Sequence, residues 1–241
     1  MPVIDLQPQI DRIAVITGVQ DEADAFLRGH NAARHGGPFG DYRTVDHPRL
    51  NKVPAKLAIM CSGIGKVHAG AAAMFLRQHF KPDLFLVIGT AGQVSDIDGD
   101  CFYLHQSLQA DYGTLERFGD HEGFTHYDAG AWPIGPADWS PFAALAQPNG
   151  FDLPHARIAT ADCFVKCPDR SGYLRDVLQA DLVDMETAAV AQIAALLGLP
   201  WAGIKAVTDG ANSDSSGDFH ANLERAANRA ASEAARFIEL L

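Results

Sequence analysis

Short apolar runs bounded by glycine and aspartate alternate along this chain with longer segments whose apolar residues recur at three- and four-residue steps. That alternation predicts an α/β fold: a three-layer α/β/α domain around a central mixed, mainly parallel twisted sheet. Residues 13–16, 57–60, 84–88, 101–104, 156–159 and 202–207 read as strands, with a further short one over 181–183. Several are apolar without a break, as expected of strands covered on both faces. Residues 66–80 read as a helix, since Val67, Ala71, Met74 and Phe75 share a face and Pro82 stops the segment. Another spans 185–197 and is closed by Gly198 and Pro200. The tail places Leu223, Ala226, Ala230, Ala234, Phe237 and Leu241 on one stripe, which predicts a C-terminal amphipathic helix packed on the sheet.

Between His105 and His155 the periodicity fades into Gly, Pro, His and aromatic residues and reads as long loops over the sheet. Phe118, Phe124, Tyr127, Trp132 and Trp139 give the stretch too much apolar surface for a linker, so it is the candidate lid or specificity element. With 241 residues, 47% of them apolar, the chain suits a single domain over 1–241.

Charge narrows the partners. A formal net charge of -11 argues against nucleic acid or an anionic membrane surface, both of which call for clustered Lys and Arg. Residues 1–12 carry Asp5 and two prolines where a signal peptide needs a basic start and an unbroken apolar run. No apolar run approaches the roughly 20 residues that span a bilayer. A soluble cytoplasmic protein is expected, with its four cysteines reduced. Cys61 and Cys101 read as core residues. Cys163 and Cys167 lack a second Cys or His pair at zinc-site spacing, so no metal is expected.

In open α/β sheets ligands bind beyond the carboxyl ends of strands, which directs attention to the polar residues that follow each run. Residues 17–22 read Thr-Gly-Val-Gln-Asp-Glu, 62–66 Ser-Gly-Ile-Gly-Lys, 89–92 Gly-Thr-Ala-Gly, 184–186 Asp-Met-Glu and 208–210 Thr-Asp-Gly. Singly, each has a plain explanation: the glycines as turn residues, Asp184 as a helix cap, Asp209 as a loop aspartate. Together they would bring carboxylates and glycines to one edge of the sheet. A dinucleotide fingerprint fails because His68 stands where its third glycine belongs, and no Gly-Lys-Ser or Gly-Lys-Thr phosphate loop occurs.

These segments, in this order, resemble the nucleoside phosphorylase and nucleosidase superfamily, and within it the 5'-methylthioadenosine/S-adenosylhomocysteine nucleosidases. The resemblance rests on the Ser-Gly-Ile-Gly-Lys run at 62–66, Lys-Pro-Asp at 81–83 leading into 89–92, Val-Asp-Met-Glu-Thr at 183–187 and Lys-Ala-Val-Thr-Asp at 205–209. It implies cleavage of an N-glycosidic bond through a ribosyl-cation-like transition state, without a cofactor. Asp209 would then be the acid that assists departure of adenine, Glu22 the base that activates water, and Glu186 the carboxylate that grips the ribose diol. By the same resemblance Phe164 would stack on adenine and Val165 offer backbone hydrogen bonds to its edge. Met185 and Ile64 would lie against the ribose, Phe219 near the 5' group, and Thr90, Ala91, Gly92 and Thr208 complete the pocket. Departures are mild: Thr90 where Ser is usual, Val19 for Met, Asp184 for Glu, Lys205 for Arg.

The superfamily's phosphorylases hold phosphate with arginines in the first loop and before the third-strand glycines, where this chain has Val19, Gln20 and Val87. Without those guanidinium forks, water is the expected nucleophile. The expected activity is therefore hydrolysis of 5'-methylthioadenosine and S-adenosylhomocysteine to adenine and the modified ribose, as in methionine salvage. Alternatives are a hydrolase of futalosine or aminofutalosine, a phosphorylase, and a non-catalytic nucleoside-binding protein. The resemblance also implies a homodimer.

Overall fold

The computed structural model describes residues 9–37, 40–115, 124–126 and 141–241. Its main element is a ten-stranded mixed sheet. The order along it is β11 (Leu182–Asp184), β10 (His155–Thr160), β6 (Cys101–Gln109), β12 (Trp201–Asp209), β5 (Leu84–Gln93), β1 (Arg12–Thr17), β4 (Lys52–Cys61), β3 (Tyr42–Arg49) and β2 (Ala33–His35), with β9 (Phe142–Ala143) added on β6. β4, β1, β5 and β12 are parallel neighbours. β6 is antiparallel to β12, and β10 and β11 follow β6 in parallel. β11 also pairs antiparallel with the far end of β5, so β5, β12, β6, β10 and β11 close into a ring.

Period-two alternation along β1 sorts the core into two layers. Ile13 and Val15 face α1 (Gln20–Leu27) and α5 (Ser215–Leu240), packing with Phe26, Ala230, Phe237 and Ile238. Ala14 and Ile16 face α2 (Lys66–His79) and α4 (Thr187–Leu197), packing with Ala69, Leu76, Val190 and Ala194. The large side chains Ile13, Leu57, Leu84 and Phe237 are fully buried, each stabilising the fold by roughly 1.5–3 kcal/mol through removal of apolar area from water. A third cluster, with Leu108, Val165, Leu174 and Val183, lies under α3 (Pro168–Asp176).

The strong elements fall where their periodicity places them, and the differences have local causes. The fourth helix begins at Thr187 rather than at 185, because Glu186 has non-helical backbone angles as its N-cap; Gly198 in the left-handed region closes it. The tail helix starts earlier, at Ser215. β6 runs on to Gln109, so the first part of the stretch read as loop is a partly buried strand, while β7 (Gly113–Leu115) pairs with β8 (Phe124–His126). Phe118, Tyr127, Trp132 and Trp139 lie outside the described residues. Cys101 is buried, whereas Cys61 is half-buried at the end of β4, its thiol donating to the Gly18 carbonyl at 3.6 Å. No helix among the described residues is long and apolar enough to cross a membrane.

Candidate active site

One pocket gathers nearly all the polar segments picked out along the chain. Its wall is formed by Gly18, Val19 and Glu22 after β1, Ile64 after β4, Thr90, Ala91 and Gly92 in β5, Phe164 after β10, Val183 to Glu186 at β11, Thr208 and Asp209 at the end of β12, and Phe219 of α5. The rule that ligands sit beyond strand ends does not hold for β5 or β12, whose Thr90–Gly92 and Thr208–Asp209 segments lie within the strands. It holds for β1, β4 and β11. β11 runs against β5 in the register Val183 to Gly92, which carries the chain leaving it at Asp184 back alongside Thr90.

Each carboxylate is buried and held by backbone donors. Glu22, in the first turn of α1, accepts from the Gly18 and Val19 amides at 2.9 and 3.2 Å on one oxygen, and from the Thr90 amide and hydroxyl at 2.7 and 2.9 Å on the other. Reaching back to the Val19 amide is half of a capping box, so Glu22 also starts the helix that carries it. These four donors occupy the roughly four acceptor sites of an ionised carboxylate. Three are fixed amides; the Thr90 hydroxyl can rotate away and leave one lone pair for a water. Asp209 follows an irregular step in the β12–β5 pairing between Val207 and Asp209, which redirects its side chain into the pocket. It accepts from the Thr208 hydroxyl at 2.9 Å and the Ala211 amide at 3.0 Å. Glu186 accepts from the Gly65 amide at 2.9 Å.

Three glycines make room for these three acids. A Cβ on Gly89 would fall 2.4 Å from a Glu22 oxygen, one on Gly18 would lie 3.0 Å from the Glu186 carboxyl carbon, and one on Gly92 would lie 3.1 Å from Asp209. At the mouth, Phe164 is 44% exposed, and its ring meets that of Phe219 edge-on at 5.8 Å.

Residues 12–239 match the phosphorylase superfamily. The chain belongs to that superfamily. A curated relative from Geobacillus kaustophilus, a 5'-methylthioadenosine/S-adenosylhomocysteine nucleosidase, is 32% identical over 229 residues, covering 90% of this chain and 93% of the relative. Among solved structures, the 5'-methylthioadenosine/S-adenosylhomocysteine nucleosidase of S. pneumoniae with a transition-state inhibitor superposes with a TM-score of 0.78 at 24% identity, covering 95% of this chain and 99% of that one. The futalosine hydrolase of Helicobacter pylori reaches 0.79 at 22% identity, covering 96% and 99%. At those identities the two structures share the fold, a nucleoside phosphorylase-like α/β architecture.

Within this superfamily member, eleven of the twelve residues expected at the site line the pocket; the twelfth is Val165, expected to offer its backbone and not its side chain. Its side chain is buried in the third core cluster, which leaves its backbone as the only part that could face a ligand. The sequence offered Asp184 as a helix cap; the N-cap position is Glu186, but the Asp184 side chain does accept from the first helical amide, that of Thr187, at 3.1 Å. It also pairs with Lys205 at 3.0 Å, both side chains almost wholly buried. That second role was not legible, because an isolated Lys in an apolar strand gives no sign of its partner. Burial works against the Lys205 charge, yet Asp184, Glu22 and Glu186 together hold its pKa above the ordinary value.

The Glu186 pKa is raised as well, to about 7, which here favours the neutral form: first by burial and then by the charge of Asp184, with Lys205 and the Gly65 amide acting in opposition. Between its unfolded value of 4.5 and about 7 the folded state therefore holds a proton that the unfolded chain has released. Stability falls as pH rises through that window, and the deficit is complete above it. Glu186→Gln is accordingly expected to raise the melting temperature over wild type by more at pH 8 than at pH 5. Calorimetry at both pH values checks this, and an equal difference at the two would remove Glu186 as the titrating group.

Proposed function

We propose that this protein hydrolyses the N-glycosidic bond of 5'-modified adenosines, 5'-methylthioadenosine and S-adenosylhomocysteine foremost, releasing adenine and the 5'-modified ribose. The observation that carries the reading is the convergence of Glu22, Glu186 and Asp209 in one pocket whose mouth holds a half-exposed aromatic, Phe164. The name of the Geobacillus kaustophilus relative supports the choice of substrate.

In this mechanism adenine, stacked on Phe164, leaves as Asp209 shares a proton with its ring nitrogen. A carboxylic acid acts here as it does in sugar hydrolases, where a second carboxylate activates water on the opposite side of the sugar. Glu22 takes that second part, receiving a proton from water once the Thr90 hydroxyl turns away. Glu186 accepts both ribose hydroxyls, with Met185 and Ile64 against the sugar. None of the described residues on the pocket wall is Lys, Arg or His. A phosphate dianion would meet carboxylates there and no cation, which favours water as the nucleophile.

Adenine release followed by chromatography in phosphate-free buffer tests the reading. Rapid release from 5'-methylthioadenosine is expected, neither accelerated by phosphate nor diverted to a ribose 1-phosphate. Release from futalosine but not from the thio-nucleosides would transfer the activity to that substrate, and phosphate dependence would make the protein a phosphorylase. A cytoplasmic homodimer belongs to the same proposal. Val67 and Met74, two turns apart on α2 and exposed, form apolar surface that a second copy would cover, and sedimentation at micromolar concentration should give twice the chain mass.

A further inference from the structure

Lys66 is the first residue of α2, the end of a helix where a cation is disfavoured by the macrodipole, and no acidic residue in that first turn offsets it. Its position is explained by what it touches. The ammonium group donates to Asp111 at 2.5 Å and to Gln109 at 3.0 Å, and lies 4.0 Å from Asp162. The Lys66 backbone amide donates to the other oxygen of Asp162 at 2.7 Å, and the Asp162 amide donates to Asp111 at 2.9 Å. Three segments distant in sequence are thereby joined in a closed ring: the start of α2, the turn after β6 and the loop after β10.

Both ends of this ring lead into the pocket. The amide immediately before Lys66, that of Gly65, holds Glu186. Two residues beyond Asp162 stands Phe164, too exposed for packing alone to fix it. Gly65 lies at φ +103, and a Cβ there would come within 3.2 Å of Asp162, so the two loops meet at a point where only glycine fits comfortably.

We propose that Lys66 is a positioning residue for substrate binding: with Asp111 and Asp162 it clasps the loop carrying Phe164 to the loop that orients Glu186, and so sets the spacing between base and ribose subsites. The roles of Phe164 and Glu186 in this inference rest on the nucleosidase reading. A partly exposed ion pair contributes little to global stability, and the side chains of Lys66, Asp111 and Asp162 are 18%, 31% and 46% exposed. The clasp therefore acts on placement more than on folding.

The test compares Lys66→Met and Lys66→Arg with wild type. Methionine removes the charge and keeps the stem. Lys66→Met should raise KM for 5'-methylthioadenosine about tenfold, the weight of one charge-assisted hydrogen bond, with kcat within about twofold. Amide hydrogen exchange over residues 162–166, read by mass spectrometry, should quicken, and Lys66→Arg should recover most of both. Unchanged exchange over 162–166 overturns the clasp, as does equal behaviour of the Met and Arg variants, or a fall in kcat and melting temperature with KM unmoved. Exchange reports on the clasp without turnover: quickening in Lys66→Met upholds it even where wild type releases no adenine, an outcome that would overturn the nucleosidase reading alone.

Discussion

Asp209→Asn is expected to lower kcat for adenine release by about 10²- to 10⁴-fold, the usual contribution of general acid catalysis, while KM moves far less. Asparagine has the same shape and can still accept the Ala211 amide that Asp209 accepts at 3.0 Å, so the pocket wall should persist. What it lacks is a proton to share with the departing base. Adenine is a poor leaving group as an anion, and the loss should therefore fall on the bond-breaking step. The leaving group itself supplies the control. A 4-nitrophenyl riboside with the same 5' substituent departs without protonation and should lose little rate in the variant. Equal losses for the two substrates would mean that Asp209 places the sugar rather than protonating the base, and unchanged turnover of both would take it out of the mechanism.

What the sequence revealed and what it hid follow from the range of the interactions involved. The apolar runs of β1, β5 and β12 are legible because burial on both faces leaves almost no polar position to confuse them, Lys205 in β12 being the exception within the runs. β2 and β3 are not, since strands near the sheet edge such as Tyr42–Arg49 are half solvated and mix Arg, Thr, Asp, His and Pro with only Tyr42 and Val45 as apolar residues. The turn after β3 did carry a cue, Asn51 in the left-handed region between Arg49 and Lys52. α1 is short and buries only Glu22, Ala23 and Phe26, too few positions for a period. The site was legible as residue types after strands; its assembly was not. That Asp184 reaches the pocket from a strand opposed to β5, and that Lys205 lies beneath it, depends on a pairing between segments about 90 positions apart in the chain, which local pattern cannot report.

The spacing of glycines against acids gives the second large effect. Gly89 sits inside β5 at φ +144, a conformation that side-chain-bearing residues rarely adopt, and its missing Cβ is the space that a Glu22 oxygen occupies. Gly89→Ala should therefore act twice. The backbone strain costs about 1–3 kcal/mol of stability. The collision at 2.4 Å forces the Glu22 carboxylate off the Thr90 amide and hydroxyl, and displacing the water-activating base on that scale should reduce kcat by about 10²-fold. Gly150→Ala separates the two causes. Gly150 also has a positive φ, +83, but nothing lies within 4 Å of its would-be Cβ, so this variant should lose stability and keep its rate. If Gly89 acts through Glu22, the two mutations are not independent, and adding Gly89→Ala to Glu22→Gln should slow the enzyme little beyond the slower single variant. Multiplying losses would show instead that the strand itself, with Thr90 to Gly92, had moved away from the ribose, and Glu22 would no longer be the reason that a glycine is needed at 89.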